Sequence, residues 1–108
     1  MKGDTKMVRS RYFNVGEVFV TKSINELIKS DMPFNKAINN ALTKFVNKDW
    51  GILCDEDKAL NDEALKHPDD LYILAAYETP KGKVYIITNR KSEEPGDNVT
   101  TICFPDER

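Results

Sequence analysis

The chain has 108 residues, of which 40% are hydrophobic and 31% are charged, and its formal net charge is -2. This length fits one domain that can bury a core without disulfides or metals. No apolar run approaches the roughly 20 residues of a membrane span. The first residues also lack the apolar stretch of a secretory signal. We therefore expect a soluble, cytoplasmic protein with no membrane contact.

The charge is distributed unevenly along the chain. Residues 1–48 carry nine Lys or Arg and four acids, residues 49–70 carry two Lys and eight acids, and residues 71–108 are nearly balanced. A basic first half and an acidic middle can steer partners, although such runs are also typical of solvated helix faces. Residues 1–9 are polar and predict a disordered lead, followed by one domain over residues 10–108.

The first half of that domain predicts one strand and two helices. Val15 to Thr21 is β-branched and short, which indicates a strand. Ser23 and Glu26 match a capping box, with Thr21 as a rival N-cap, so a short helix follows. Asp31 then caps a second helix, in which apolar residues recur at spacings of three and four. Those residues are Phe34, Ala37, Ile38, Ala41, Leu42, Phe45 and Val46.

The second half predicts a polar helix and three strands. Asp55 is expected to cap a helix to about Lys66 that buries a narrow edge of Ala59, Leu60 and Ala64. Strands are predicted at 71–78, 83–88 and 99–104, with a Pro-Gly turn joining the first two and a mobile loop at 89–98. The fold class is therefore α+β. We expect a small antiparallel sheet of three to four strands against two to three helices, in the order β-α-α-α-β-β-β.

No catalytic constellation stands out in the sequence. The single His67 and Cys54 flank the same predicted helix at opposite ends, so a nucleophile–base pair is not indicated. Cys54 and Cys103 show no metal-ligand spacing, and we expect two reduced, partly buried thiols. Glycine-rich phosphate loops are absent as well. We expect no enzymatic activity, no cofactor and no metal.

Several motifs resemble a family of small "plasmid-related" proteins encoded on bacterial plasmids, phages and integrative elements. The similarity extends over most of residues 11–105. Its most specific parts are Asp49-Trp50-Gly51 and Asn61-Asp62-Glu63-Ala64-Leu65, with further matches at Arg11-Tyr12-Phe13-Asn14 and Thr100-Thr101-Ile102. The chain departs from the family in its longer polar lead and in the loop at 90–98. The resemblance implies a mobile-element setting and supplies no catalytic residues.

The function that fits these observations is a protein-interaction module, with its partner and oligomeric state left open. The candidate binding surface groups the single tryptophan with the acidic segment after it: Asp49, Trp50, Asp55, Glu56, Asp57, Asp62 and Glu63. Trp50 could anchor a partner, although a core role is the preferred interpretation. Two alternatives stay open. One is an anti-defence inhibitor whose acids mimic DNA phosphates, and the other is a nucleic-acid-binding accessory protein that uses the basic first half.

Overall fold

A computed structural model of the chain describes residues 9–90 and 97–108. Its regular elements follow the predicted order and confirm the α+β class. They are β1 (Glu17–Val20), α1 (Lys22–Ser30), α2 (Met32–Val46), α3 (Asp55–Ala64), β2 (Tyr72–Thr79), β3 (Gly82–Arg90) and β4 (Asn98–Cys103), with short 3₁₀ turns at Pro68–Asp70 and Pro105–Glu107.

The four strands form one sheet in the order β1-β4-β3-β2. Strands β2, β3 and β4 make the predicted antiparallel meander, with Ala75 opposite Ile86 and Ile86 opposite Ile102. Strand β1 lies parallel to β4, with Val18 opposite Thr100, so the sheet is mixed rather than wholly antiparallel. The first strand and the last therefore become neighbours, although about eighty residues separate them.

Helix α2 supplies most of the helical side of the core, as its apolar periodicity predicted. The carboxylate of Asp31 caps it by accepting from the Phe34 amide at 3.0 Å. Phe34, Ile38, Leu42 and Phe45 are at most 5% exposed. They pack into one cluster with strand residues such as Val18, Ile73, Val84, Ile86 and Ile102. Such a shared cluster joins helix and sheet into one cooperative unit.

The end of α2 is a Schellman motif that uses a lysine in place of glycine. The Lys48 amide donates to the Phe45 carbonyl at 3.2 Å, and the Asp49 amide donates to the Lys44 carbonyl at 2.9 Å. Lys48 takes a left-handed φ of 66°, which usually favours glycine. Its ammonium lies 4.7 Å from the centre of the Tyr12 ring, a cation–π contact that favours this position.

Two helix caps differ from the leading predictions. Of the two candidate N-caps of α1, Thr21 rather than Ser23 takes the position, and it accepts from the Ile24 amide at 3.4 Å. Ser23 instead donates to the Glu107 carboxylate, so a distant partner displaces the local capping box. Cys54, not Asp55, is the N-cap of α3 and makes no side-chain cap hydrogen bond. Helix α3 also ends at Ala64, two residues before the predicted end.

The two faces of the sheet differ in how far they are covered. Alternate strand residues on one face, including Ile73, Ala75, Val84 and Ile86, are fully buried in the core that α1 and α2 share. The other face carries half-buried residues: Phe19, Leu74, Tyr85, Ile87, Val99 and Thr101. The apolar character of both hairpin faces predicted that helices cover at least one of them, and this is confirmed.

The predicted loop at 89–98 is shorter than expected at both ends. Asn89 and Arg90 continue β3, and Asn98 begins β4 with its side chain buried. In the sheet, Asn89 lies opposite Val99 and Arg90 lies opposite Asn98. Because these residues are polar, the sequence pattern did not indicate that they belong to strands. Residues 91–96 of the loop fall outside the described residues, as does the predicted disordered lead apart from Arg9.

Candidate functional site: a cleft between the acidic helix and the sheet

A cavity with a volume of about 560 Å³ lies between α3 and the second face of the sheet. One wall is α3 with the segment before it, and the floor and opposite wall come from β2, β3 and the last residue of the chain. The lining residues are Ile52, Leu53, Cys54, Asp57, Leu60, Asn61, Tyr72, Leu74, Ala76, Lys83, Tyr85 and Arg108. We call this cavity the α3–sheet cleft.

The wall is fixed by a short backbone bridge between Gly51 and the outer edge of β2. Gly51 pairs with Ala76 in parallel, and the Ile52 amide donates to the Ala76 carbonyl at 2.9 Å. Gly51 has a φ of 80°, and a Cβ at this position would collide with the Ala76 carbonyl. Only glycine allows this close approach, so Gly51 sets where the chain enters α3.

Trp50 attaches this bridge to the core. The side chain is 3% exposed and packs edge-on against Phe45, with ring centres 5.7 Å apart. Its Nε1 donates to Oδ1 of Asp62 at 2.9 Å. The preferred interpretation of Trp50 as a core residue therefore agrees with its burial. The hydrogen bond also ties α3 to the corner after α2, because the two residues lie twelve positions apart.

Asn61, rather than Leu60, is the buried side chain of α3. Asn61 is 6% exposed and its amide donates to the Leu74 carbonyl at 2.9 Å, while Leu60 is 67% exposed. The prediction of a buried edge formed by Ala59 and Leu60 is therefore wrong, and Ala64 is half-buried against the core. The carbonyl of Leu74 lies at the β2 edge beyond the Gly51 bridge, so it needs a donor that leucine cannot supply.

Three of the five exposed large apolar side chains in residues 9–90 and 97–108 surround the cleft. Leu60 stands on the α3 wall, Ile52 is 49% exposed on the segment before it, and Tyr72 is 46% exposed on β2. Apolar side chains that gather in one exposed place mark contact sites more often than scattered ones do. Sequence reasoning missed Tyr72, Tyr85 and Lys83, and the signal for them was the apolar second face of the hairpin strands.

Charged groups of opposite sign lie on the two sides of the cleft. Asp57 lines the α3 side, and Asp55 and Glu56 are exposed in the same first turn. Lys83 of β3 and Arg108 line the other side. The Arg108 guanidinium donates to the Tyr72 hydroxyl at 2.9 Å, which places the C-terminal residue over the sheet. The cleft thus combines an apolar middle with an acidic and a basic rim.

The remaining predicted site residues have structural partners. The Asp49 carboxylate accepts from the Gly51 amide at 3.1 Å, and its carbonyl accepts from the Tyr77 hydroxyl at 2.7 Å. Burial, and next the charge of Asp49, raise the pKa of Tyr77 far above its ordinary value. Glu63 accepts from His67 and pairs with Lys66, at 3.3 and 3.4 Å, and these contacts lower its pKa. The predicted acidic surface is therefore partly neutralised at its C-terminal end.

The nucleophile and base candidates stand apart. Cys54 is exposed at the start of α3, and His67 lies beyond its other end, bonded to Glu63. Ten helical residues separate them by about 15 Å. Both cysteines are free thiols. Cys103 is buried and Cys54 is exposed, so the prediction that both are partly buried is wrong. Residues 9–90 and 97–108 hold no group of three or more His, Cys, Asp or Glu side chains placed to bind a metal.

Comparisons with models of protein families, with curated proteins and with solved structures found no match to this chain. The resemblance to the plasmid-related proteins consequently stays an expectation from the sequence. Within the part of the chain that the structure describes, no helix is both long enough and apolar enough to cross a membrane.

Proposed function

We propose that the chain is a protein-interaction module and that the α3–sheet cleft is its contact surface. The observation that supports this most is the cluster of Ile52, Leu60 and Tyr72, three large apolar side chains exposed around one cavity. Leaving them in water is unfavourable by about 25 cal/mol for each Å² of apolar surface. A partner that covers them removes this cost, which makes the cleft the natural docking position.

The size and position of the cleft favour a protein as the ligand. A volume of about 560 Å³ is enough for two or three side chains of a partner. Leu60 and Tyr72 stand at the rim rather than inside an enclosed cavity, so a small molecule would leave them largely in water. A protein surface can cover the rim as well as fill the cleft, as apolar anchors within polar borders do at interfaces.

The acidic first turn of α3 adds a preference for a basic partner surface. Asp55, Glu56 and Asp57 are exposed, and Asp57 reaches the cleft itself. Carboxylates at this position complement the positive N-terminal end of the helix dipole. A partner with lysine or arginine beside its apolar anchor would match this rim, and its association would weaken as salt rises.

The biological setting in this proposal comes from the sequence resemblance alone. The resemblance implies a gene on a plasmid, phage or integrative element, where a small binding module would act on a host or element protein. The proposal gives the chain no catalytic role. Cys54 therefore contributes to the cleft by its position at the α3 wall and not as a nucleophile.

The experiment compares two substitutions of exposed apolar residues in helices. Leu60→Gln changes the cleft, and Met32→Gln changes a residue that is 68% exposed at the start of α2. Glutamine keeps similar helix propensity, so both variants are expected to fold. Tagged wild-type protein first captures a partner, whose affinity for each purified variant is then measured. Leu60→Gln should weaken binding at least about tenfold, because anchor residues at interfaces commonly cost about 2 kcal/mol or more when truncated and about 1.4 kcal/mol is tenfold.

The control defines the outcome that would contradict the proposal. Met32→Gln should bind like wild type, since Met32 lies on a different helix and outside the cleft. Equal affinities for all three proteins would exclude the cleft as the contact surface. A loss confined to Met32→Gln would move the contact surface to α2.

A further inference from the structure

We infer that the protein that the α3–sheet cleft receives is a second copy of this chain, in a two-fold symmetric dimer. This inference rests on the proposed function, because it names the partner of the same cleft. The inference depends on one observation that favours a second copy over an unrelated protein partner. The cleft carries an acidic rim and a basic rim on opposite sides of one apolar strip, so the surface is complementary to itself.

The sheet order determines which side each charge occupies. Helix α3 packs against β2 at the edge of the sheet, whereas β3 lies on the inner side of β2. Asp57 therefore stands on the edge side of the cleft and Lys83 on the inner side, with β2 between them. Tyr72, Leu74 and Ala76 of β2 form the strip that separates the two rims.

The charges on the two rims are available to a partner. Asp57 and Lys83 are exposed, and neither makes an ion pair within residues 9–90 and 97–108. Arg108 adds a second cation to the cleft lining, held by its hydrogen bond to the Tyr72 hydroxyl. Asp55 and Glu56 add two further carboxylates to the turn that carries Asp57. An incoming surface thus meets opposite charges across the strip.

A two-fold axis that runs along the cleft pairs the acidic rim of each copy with the basic rim of the other. Rotation about this axis turns a second copy face to face with the first and exchanges its left and right sides. The acidic rim of each copy then lies over the basic rim of the other, and the apolar strips meet at the axis. In such isologous contacts, a residue i that touches j is repeated as j touching i. The dimer therefore contains the Asp57–Lys83 contact twice.

The first test is the mass of the purified full chain in solution, measured by sedimentation over a wide concentration range. We expect the mass to rise with concentration from 12.3 kDa towards twice that value. Added salt should lower it, because the rims attract through exposed charges. A mass that stays at one chain at every concentration would overturn the inference.

Charge reversal then tests the symmetry. Asp57→Lys and Lys83→Glu should each weaken self-association at least about tenfold, because each places like charges together twice. An equimolar mixture of the two variants should associate more tightly than either alone, since the introduced lysine of one meets acids of the other. The double variant should also recover association. Lys36→Glu, the same reversal at an exposed position of α2, should leave association unchanged.

The outcomes separate this inference from the proposed function. No gain on mixing, or equal effects of Lys83→Glu and Lys36→Glu, would reject the two-fold arrangement. A chain that stays monomeric but loses a different partner on Leu60→Gln would keep the cleft as a contact surface and reject only the second copy. A chain that self-associates equally well with Leu60→Gln would also reject the second copy as the cleft's partner, whereas equal affinity of wild type and Leu60→Gln for every captured partner would reject both.

Discussion

At the scale of single residues, the pair of Trp50 and Asp62 changes how the acidic segment is understood. The sequence indicated that Asp62 belongs to an outward acidic field. The structure shows its carboxylate accepting from the buried indole of Trp50 at 2.9 Å. Reversing the charge of Asp62 would remove this acceptor as well as the field. The binding role of the acidic turn is therefore better tested at Asp57, which has no such contact.

The hydrogen bond between Trp50 and Asp62 leads to a stability prediction. Asp62→Ala should destabilise the fold by about 1 kcal/mol, because a donor that is largely removed from water loses its acceptor. Asp62→Asn is the matched control, since its amide oxygen can still accept from the indole and it should lose less. Chemical denaturation with tryptophan fluorescence measures both, as Trp50 is the only tryptophan. Equal losses for the two variants would show that charge, and not the hydrogen bond, matters at this position.

Residue periodicity explains why Leu60 was misplaced. In a weakly amphipathic helix, the sequence pattern does not decide which residues face the core. Hydrophobicity alone then favours leucine over asparagine as the buried residue. The deciding factor was the free Leu74 carbonyl at the edge of β2, which the Asn61 amide reaches at 2.9 Å. This need arises only after the sheet is assembled. The strong stripe of α2, by contrast, predicted Phe34, Ile38, Leu42 and Phe45 as core residues, and all four are buried.

At the scale of elements, the C-terminal turn is joined to the start of α1 by one carboxylate. Oε1 of Glu107 accepts from the Thr21 hydroxyl at 2.8 Å and from the Phe104 amide at 2.9 Å, and Oε2 accepts from Ser23 at 2.5 Å. Partial burial alone would raise the pKa of Glu107, but the hydrogen bonds from Ser23, Phe104 and Thr21 together outweigh it and lower the pKa. The ionised form is thus favoured by folding.

Because of these hydrogen bonds to the Glu107 carboxylate, we predict that the protein loses stability in acid. Because folding lowers the pKa of Glu107, its contribution is fully present above the ordinary value of 4.5 and is lost as the pH falls through the lower folded value. Glu107→Gln should reduce stability at neutral pH and should flatten the fall in the free energy of unfolding below about pH 5. Denaturation curves at a series of pH values provide the measurement.

A second glutamate on α1 gives the control for this prediction. Glu26 is exposed, and its side chain has no hydrogen-bond partner in the described part of the chain. Glu26→Gln should therefore keep both the neutral stability and the acid dependence of the wild type. If Glu107→Gln and Glu26→Gln gave the same pH profile, the joint between the C-terminal turn and α1 would make no net contribution.

At the scale of the whole molecule, the class and the element order followed from the sequence, whereas the pairing of β1 did not. Local patterns specify a strand and its turn, so the β2–β3 hairpin was predictable from the Pro-Gly turn. The parallel contact between β1 and β4 joins residues about eighty positions apart. It depends on how the three helices fill the space between them. The buried hydroxyl chain from Thr88 to Thr100 to the Val15 carbonyl, at 2.5 and 2.6 Å, also forms only after this pairing.

The candidate site was predictable only in part for the same reason. Its acidic side lies within one continuous stretch of sequence, and Asp55, Glu56 and Asp57 were identified there. Its apolar middle and its basic side combine residues from β2, β3 and the end of the chain, which are adjacent only in the folded sheet. The sequence showed that the hairpin is apolar on both faces. It could not show that α3 leaves Tyr72 and Leu60 facing one cavity.

The most direct test of the central claim, that the α3–sheet cleft is a protein-contact surface that receives a second copy of the chain, is an NMR dilution series on the purified chain. Amide chemical shifts are followed from dilute to concentrated protein, at low salt. Our account predicts that the concentration-dependent shifts cluster at Asp57, Leu60, Tyr72 and Lys83, while Met32 and Lys36 stay constant. Shifts confined to the outer face of α2, with the cleft residues constant, would contradict it.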